Sequence, residues 1–131
     1  MTREPERSAD FATQYQAHSK EVFAAIVRDE LAKGADATGQ AHIYAELGKP
    51  DFALAYLLAG ALPDAERRDL LAHAYERRAE HTEAKAHEFD KKFHRPFPML
   101  LAEAAHDRSV ARQIRAGRTI LPDASRRIPL S

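Results

Sequence analysis

Residues 44–63, YAELGKPDFALAYLLAGALP, constrain the fold more than any other part of the chain. Gly48 is a typical helix stop, and Pro50 is typical of the first turn of a new helix. The residues from 52 to 62 carry no charge, so the new helix must be covered by protein on nearly every side. We therefore expect a tight helical hairpin whose second helix lies at the centre of the core.

A weaker copy of this pattern follows 31 residues later. The same spacing is found in two sets of three residues: Tyr44, Gly48 and Ala53, and then Tyr75, Ala79 and Ala84. Self-similarity at a fixed period predicts helical hairpins that stack on one another.

The composition indicates one helical domain. The 131 residues include 44% hydrophobic and 31% charged side chains, few glycines, and prolines that mostly separate periodic segments. We expect an all-α domain over residues 1–121, with an irregular helical bundle as the alternative to stacked hairpins. Residues 122–131 are expected to form a partly ordered basic tail. Ile120 and Leu121, just before the tail, are expected to be the last residues that contact the core.

The chain has no cysteine, which excludes disulfides, thiolate metal sites and cysteine nucleophiles. This composition favours a reducing compartment, and the cytoplasm is the expected location. The charged N-terminus does not look like a signal peptide, and the longest uncharged run is well short of the ~20 residues that span a bilayer. We expect no membrane partner on these grounds.

Hydrophobic periodicity predicts about six helices. The first begins at Ser8 or Asp10 and ends at Gly34; the next two cover residues 37–47 and 52–62; a fourth begins at residue 64, a fifth covers about residues 81–94, and a sixth ends at Gly117. Several apolar residues are expected to point inward, among them Phe11, Tyr15, Val22 and Ile26 in the first helix, Phe89 and Phe93 in the fifth, and Met99, Leu100, Leu101, Ala104, Val110 and Ile114 in the sixth.

Helices two to five resemble two degenerate tetratricopeptide repeats, at residues 37–62 and 64–95. The positions that match are Ala41, Tyr44, Gly48, Ala53 and Gly60 in the first unit, and Leu71, Ala72, Tyr75, Ala84 and Pro96 in the second. The chain departs from the family in its lack of tryptophan, in Pro50, Glu88 and Lys91, and in its shorter period. The resemblance implies a right-handed superhelix of stacked hairpins.

The resemblance also implies a non-enzymatic module that binds a peptide or protein segment. Carried over by position, the binding face contains Thr38, His42, Ala45 and Glu46 from one unit and Glu66, Asp69, His73, Glu76 and Arg77 from the next. A polar face of mixed charge suits a charged peptide, and the alternative is an ordinary solvated surface. Exposure of a terminal repeat also makes a homo-oligomer a reasonable expectation.

A small metal-binding protein is the second hypothesis. Glu83, His87, Asp90 and His94 follow one another at steps of three or four residues, which places them on one helix face. Imidazoles and carboxylates of this kind could bind Zn, Mn or Fe, although a solvated helix face has the same pattern. No cofactor is otherwise indicated.

A third hypothesis is phosphate or nucleic-acid binding by the basic C-terminus. The arginines that suggest it are Arg108, Arg112, Arg115, Arg118, Arg126 and Arg127. Nucleic acid is not the favoured partner, because the chain offers no aromatic residue beyond Phe97 for base stacking. Catalysis is not expected either, since no serine lies in a Gly-x-Ser-x-Gly motif and no glycine-rich phosphate loop is present.

Overall fold

A computed structural model describes Phe11, Tyr15 and residues 21–118 of the chain. The helices are α1 (Glu21–Ala32), α2 (Ala37–Glu46), α3 (Pro50–Ala59), α4 (Asp64–Phe93) and α5 (Pro98–Arg115). No strand occurs within these described residues, so the predicted all-α class is confirmed. The start of the first helix at Ser8 or Asp10 and the tail after residue 118 lie outside the described part.

The turn between α2 and α3 is the one that the sequence predicts. Gly48 adopts a left-handed conformation with φ 71°, and its amide donates to the Ala45 carbonyl. The next amide, that of Lys49, donates to the Tyr44 carbonyl at 3.0 Å, which completes a Schellman motif. Pro50 then begins α3 at a position where its missing amide proton costs nothing. The result is a tight antiparallel hairpin.

Helix α3 lies at the centre of the core, as the uncharged run that begins at residue 52 predicts. Five consecutive residues of this helix are buried, from Ala53 to Leu57. The main core surrounds Leu54, Tyr56 and Leu57, with Leu71 and Ile114 contributed by the last two helices. At a second contact, α2, α3 and α4 meet through Ala45, Ala53 and Ala74, which are fully buried. Alanines at this contact allow three backbones to approach closely.

The fourth and fifth helices of the sequence prediction are one continuous helix, α4, of 30 residues. The hairpin predicted for residues 64–95 is therefore not formed, and the boundary near His81 is wrong. The physical reason is visible in the sequence: residues 76–85, ERRAEHTEAK, contain neither glycine nor proline and are mostly strong helix formers. Only His94, left-handed with φ 58°, ends the helix.

Helix α5 returns along α4 and forms the most extensive helix pair of the structure. It buries Ala104, Val110 and Ile114, as predicted. Other residues predicted to point inward are exposed: Met99 and Leu101 in α5, Phe93 in α4 and Ile26 in α1. For Phe93 and Met99 the cause is position, because they lie at the α4–α5 turn, beyond the core that surrounds α3.

Candidate protein-interaction surface

Contacts between α2 and α4 join three of the residues predicted to bind a protein segment: Glu46, His73 and Arg77. We call the whole predicted set the charged face, which contains His42, Glu46, Asp69, His73, Glu76 and Arg77. Glu46 at the end of α2 links the two helices, because its Oε1 lies 2.9 Å from His73 Nε2. Arg77 Nε donates to the Glu46 carbonyl at 3.1 Å, and its guanidinium also pairs with Glu80. Residues 31 positions apart thus share one connected network.

Helix α5 adds a second group of ion pairs on α4, through an arginine for which the sequence suggested phosphate binding. Arg115 Nε donates to Asp69 Oδ1 at 3.1 Å, and another guanidinium nitrogen pairs with Glu76. Asp69 and Glu76 are therefore neutralised from within the chain, at one end of the charged face. The carboxylate of Glu46 is ionised as well, since a hydrogen bond from His73, followed by the charge of Arg77, holds its pKa below the ordinary value.

Two aliphatic residues beside Glu46 belong to the same surface and were missed from the sequence. Ile43 is 52% exposed and Leu47 is 49% exposed, and we call them the aliphatic pair. They lie four residues apart on α2, next to the exposed His42. Ile43 and Leu47 each lie two residues after a buried alanine, Ala41 or Ala45, and therefore on a different side of the helix. This spacing could have identified them as exposed from the sequence. Burial of Ala45 also removes it from the predicted binding face.

The carboxylate and histidine side chains proposed for metal binding are not arranged as a site. Arg108 donates two hydrogen bonds to the Glu83 carboxylate, at 2.6 and 3.1 Å, so Glu83 is held by a guanidinium. His94 leaves the helical path because of its left-handed backbone, and it no longer continues the face of His87 and Asp90. Across Phe11, Tyr15 and residues 21–118, no three His, Asp or Glu side chains are grouped so as to hold a metal ion.

The arginines of α5 that suggested phosphate binding mainly pair with α4. Arg108 binds Glu83, and Arg115 binds Asp69 and Glu76. Arg112 and Arg118 are exposed, and the carbonyl of Arg118 accepts a hydrogen bond from the Tyr15 hydroxyl at 2.8 Å. Arg126 and Arg127 lie outside the described residues. Arg115 therefore joins α5 to α4 through two carboxylates.

A buried ion pair beneath the surface fixes α5 on α4. Arg78 donates two hydrogen bonds to Asp107, from Nε at 2.9 Å and from a terminal nitrogen at 3.0 Å. The Asp107 side chain is only 2% exposed. Burial lowers the pKa of Arg78, but the hydrogen bonds and charge of Asp107 outweigh this effect and raise it, so the guanidinium stays charged. This bidentate pair sets the register of the two helices.

We expect acid to remove the small stabilisation that Glu83 provides. Hydrogen bonding from Arg108 lowers the pKa of Glu83 below its ordinary value of 4.5. A carboxyl whose pKa is depressed by folding stabilises the protein above its unfolded pKa and loses this effect as pH falls through the folded pKa. Glu83→Gln should therefore cost at most about 1 kcal/mol near neutral pH, and its difference from the native protein should be smaller at an acid pH below the ordinary value of 4.5. Urea unfolding at the two pH values measures both differences, and an unchanged difference at low pH would contradict the assignment.

Comparisons with known proteins add no relative. No family profile matches the chain, and neither the curated proteins nor the solved structures contain a significant match. Among the helices of residues 21–118, none combines the length and apolar character needed to cross a bilayer.

Proposed function

We propose that this protein is a non-enzymatic, helical protein-binding module whose contact surface combines the charged face with the aliphatic pair. The observation that carries the proposal is the union of Glu46, His73 and Arg77 in one network from two helices, directly beside exposed Ile43 and Leu47. Protein interfaces commonly surround an apolar centre with a polar rim. The aliphatic pair supplies the centre here, and the charged face supplies one side of the rim.

A partner segment that fits this surface has an apolar side chain for the aliphatic pair and flanking charges for the rim. Glu46 precedes Leu47 directly in the chain and pairs with Arg77, so these two are the charged groups that we assign to the rim, whereas Asp69 and Glu76 pair with Arg115. We limit the proposed likeness to tetratricopeptide repeats to the α2–α3 hairpin, since α4 replaces the second hairpin by one helix. The module is thus an adaptor built on a single hairpin and a long helical pair, and a cytoplasmic location suits it.

The test compares the native protein with a double variant, Ile43→Ser with Leu47→Ser, in quantitative pull-down experiments. We expect the amount of each retained partner to fall about tenfold or more in the double variant. The reason is that two half-exposed aliphatic side chains no longer become buried on binding. The folded state should hardly change, since neither side chain belongs to the core. Circular dichroism checks this.

The matched control removes two apolar side chains that are at least as exposed, by Phe93→Ser with Met99→Ser at the α4–α5 turn. Loss of the same partners in the control would contradict a binding surface on α2, and so would an unchanged set of partners in the Ile43 and Leu47 variant. Light scattering on both variants shows whether the partner is a second copy of the chain. In that case the native oligomer dissociates only when the aliphatic pair is replaced.

A further inference from the structure

The turn between α4 and α5 carries apolar side chains that the fold leaves uncovered. Phe93 is 51% exposed and Met99 is 70% exposed. Phe89, Phe93 and Phe97 form a cluster with ring centroids 5.3 to 5.9 Å apart. We call these three rings together with Met99 the aromatic tip. Because the rings pack on one another instead of entering the core, they form an apolar surface at the α4–α5 turn.

Basic side chains lie beside the aromatic tip, and the acidic residues nearest to it in sequence are Glu88 and Asp90 just before residues 91–102 and Glu103 just after them. Residues 91–102, KKFHRPFPMLLA, contain Lys91, Lys92 and Arg95 and no aspartate or glutamate. Lys92 Nζ lies 5.6 Å from the centre of the Phe93 ring, and Arg95 Cζ lies 5.3 Å from that of Phe97. These cations therefore lie at the level of the rings. Elsewhere on α4 and α5 the described bases mostly pair with acids, as Arg78, Arg108 and Arg115 do.

The aromatic tip lies at the far end of a helical arm. Beyond Thr82, the one residue of α4 that is buried within the described structure is Ala86. Residues 82–93 correspond to roughly 17 Å of helix. The contact of the α2–α3 turn with α4 lies before this segment, where Gly48 approaches Arg78 and His81. The last three turns of α4, together with the start of α5, thus extend away from the core around α3.

We propose that the aromatic tip docks on the surface of a membrane that contains anionic lipids. The rings and Met99 enter the interfacial layer, while Lys91, Lys92 and Arg95 face lipid phosphates and carboxylates. A lipid interface accepts an exposed apolar end without a matching groove, whereas a protein partner needs an acidic concavity of the right shape. A second copy of the chain is disfavoured because it would bring three more cations to the same place.

This surface contact differs from the spanning segment that the sequence excludes. The expectation of no membrane partner follows from the absence of a long apolar run, and peripheral docking requires none. Docking by the aromatic tip is also independent of the aliphatic pair, which lies on α2.

The absence of tryptophan from the chain permits a direct test. In full-length protein carrying Met99→Trp, we expect the fluorescence to shift to shorter wavelength when vesicles of phosphatidylcholine with phosphatidylserine are added. The introduced indole then leaves water for the lipid interface. The control, Ile43→Trp, places the same probe at an exposed position away from the tip and should give no shift. No shift for the probe at position 99, or equal shifts at both positions, overturns the proposal.

Charge dependence is tested by vesicle sedimentation with two triple variants. Neutralising the tip by Lys91→Gln, Lys92→Gln and Arg95→Gln should weaken binding about a hundredfold, since each base contributes about 1 kcal/mol at an anionic surface. The matched control, Lys33→Gln with Lys49→Gln and Lys85→Gln, removes the same charge from exposed positions outside the tip and should retain most of the binding. Equal losses in the two variants, equal affinity for phosphatidylcholine alone, or no vesicle binding by the native protein overturns the proposal, even if the tip then binds an acidic protein.

The Ile43 and Leu47 double variant should bind vesicles normally, which keeps the outcome separate from that of the pull-down experiment.

Discussion

Arg78→Met is expected to lower the free energy of unfolding by about 3 kcal/mol. The substitution preserves much of the side-chain volume but removes the guanidinium that donates to Asp107 at 2.9 and 3.0 Å. Asp107, whose side chain is 2% exposed, would then lose the guanidinium that donates both of these hydrogen bonds to its buried carboxylate. Denaturant unfolding monitored by circular dichroism measures the loss.

Two further variants separate the ion pair from general effects on the helix pair. Arg108→Met breaks the neighbouring pair with Glu83, whose side chains are 38% and 35% exposed, and should cost at most about 1 kcal/mol. Adding Asp107→Leu to Arg78→Met removes both charges together and should restore much of the stability. A double variant that is no more stable than Arg78→Met would show that lost packing, not removal of the guanidinium from the buried carboxylate, causes the effect.

Gly48→Ala is expected to destabilise the protein by about 2–4 kcal/mol, through strain and crowding together. Gly48 has φ 71°, and a Cβ placed on it would lie 2.9 Å from the Arg78 amide nitrogen and 3.1 Å from Arg78 Cα. These are backbone atoms inside α4, so they have no side-chain freedom with which to move away. Thermal and urea unfolding would both detect a change of this size.

Gly117→Ala is the matched control for this prediction. Gly117 ends α5 with φ 81°, close to the value at Gly48, but no atom lies within 4 Å of the position of an added Cβ. The control therefore carries the conformational strain alone, about 1 kcal/mol. Equal losses in the two variants would mean that the close approach of the α2–α3 turn to α4 contributes nothing to stability.

The fold could be predicted well wherever local signals determine it. Gly48 followed by Pro50 specified the α2–α3 turn, and an uncharged segment specified the central helix. The division of α4 was an error of a different kind, because hydrophobic periodicity and the 31-residue repeat were followed at a place where no residue ends the helix. Residues 76–85 contain no helix-breaking residue, and this local feature was the better guide.

Prediction of the surface was limited by tertiary register. The residues of the charged face were named from the sequence, yet their mutual pairing depends on how α2 and α5 lie against α4. The sequence does show that Asp107 needs a partner. It lies on one apolar stripe of α5 with Ala104, Ala111 and Ile114, and a charge buried there must be paired or hydrogen-bonded. That the partner is Arg78, 29 residues earlier, follows only from the packing of two helices.

The continuity of α4 makes this helix a spacer of fixed length. Arg77 and Phe93 are 16 residues apart on one unbroken helix, which corresponds to ~24 Å along its axis. A flexible joint near His81, as in two separate helices, would let the charged face and the aromatic tip move independently. The single helix instead keeps a partner bound beside Arg77 at a constant distance from a surface that contacts Phe93. Insertion or deletion of one residue between them would also rotate one surface relative to the other by about 100°.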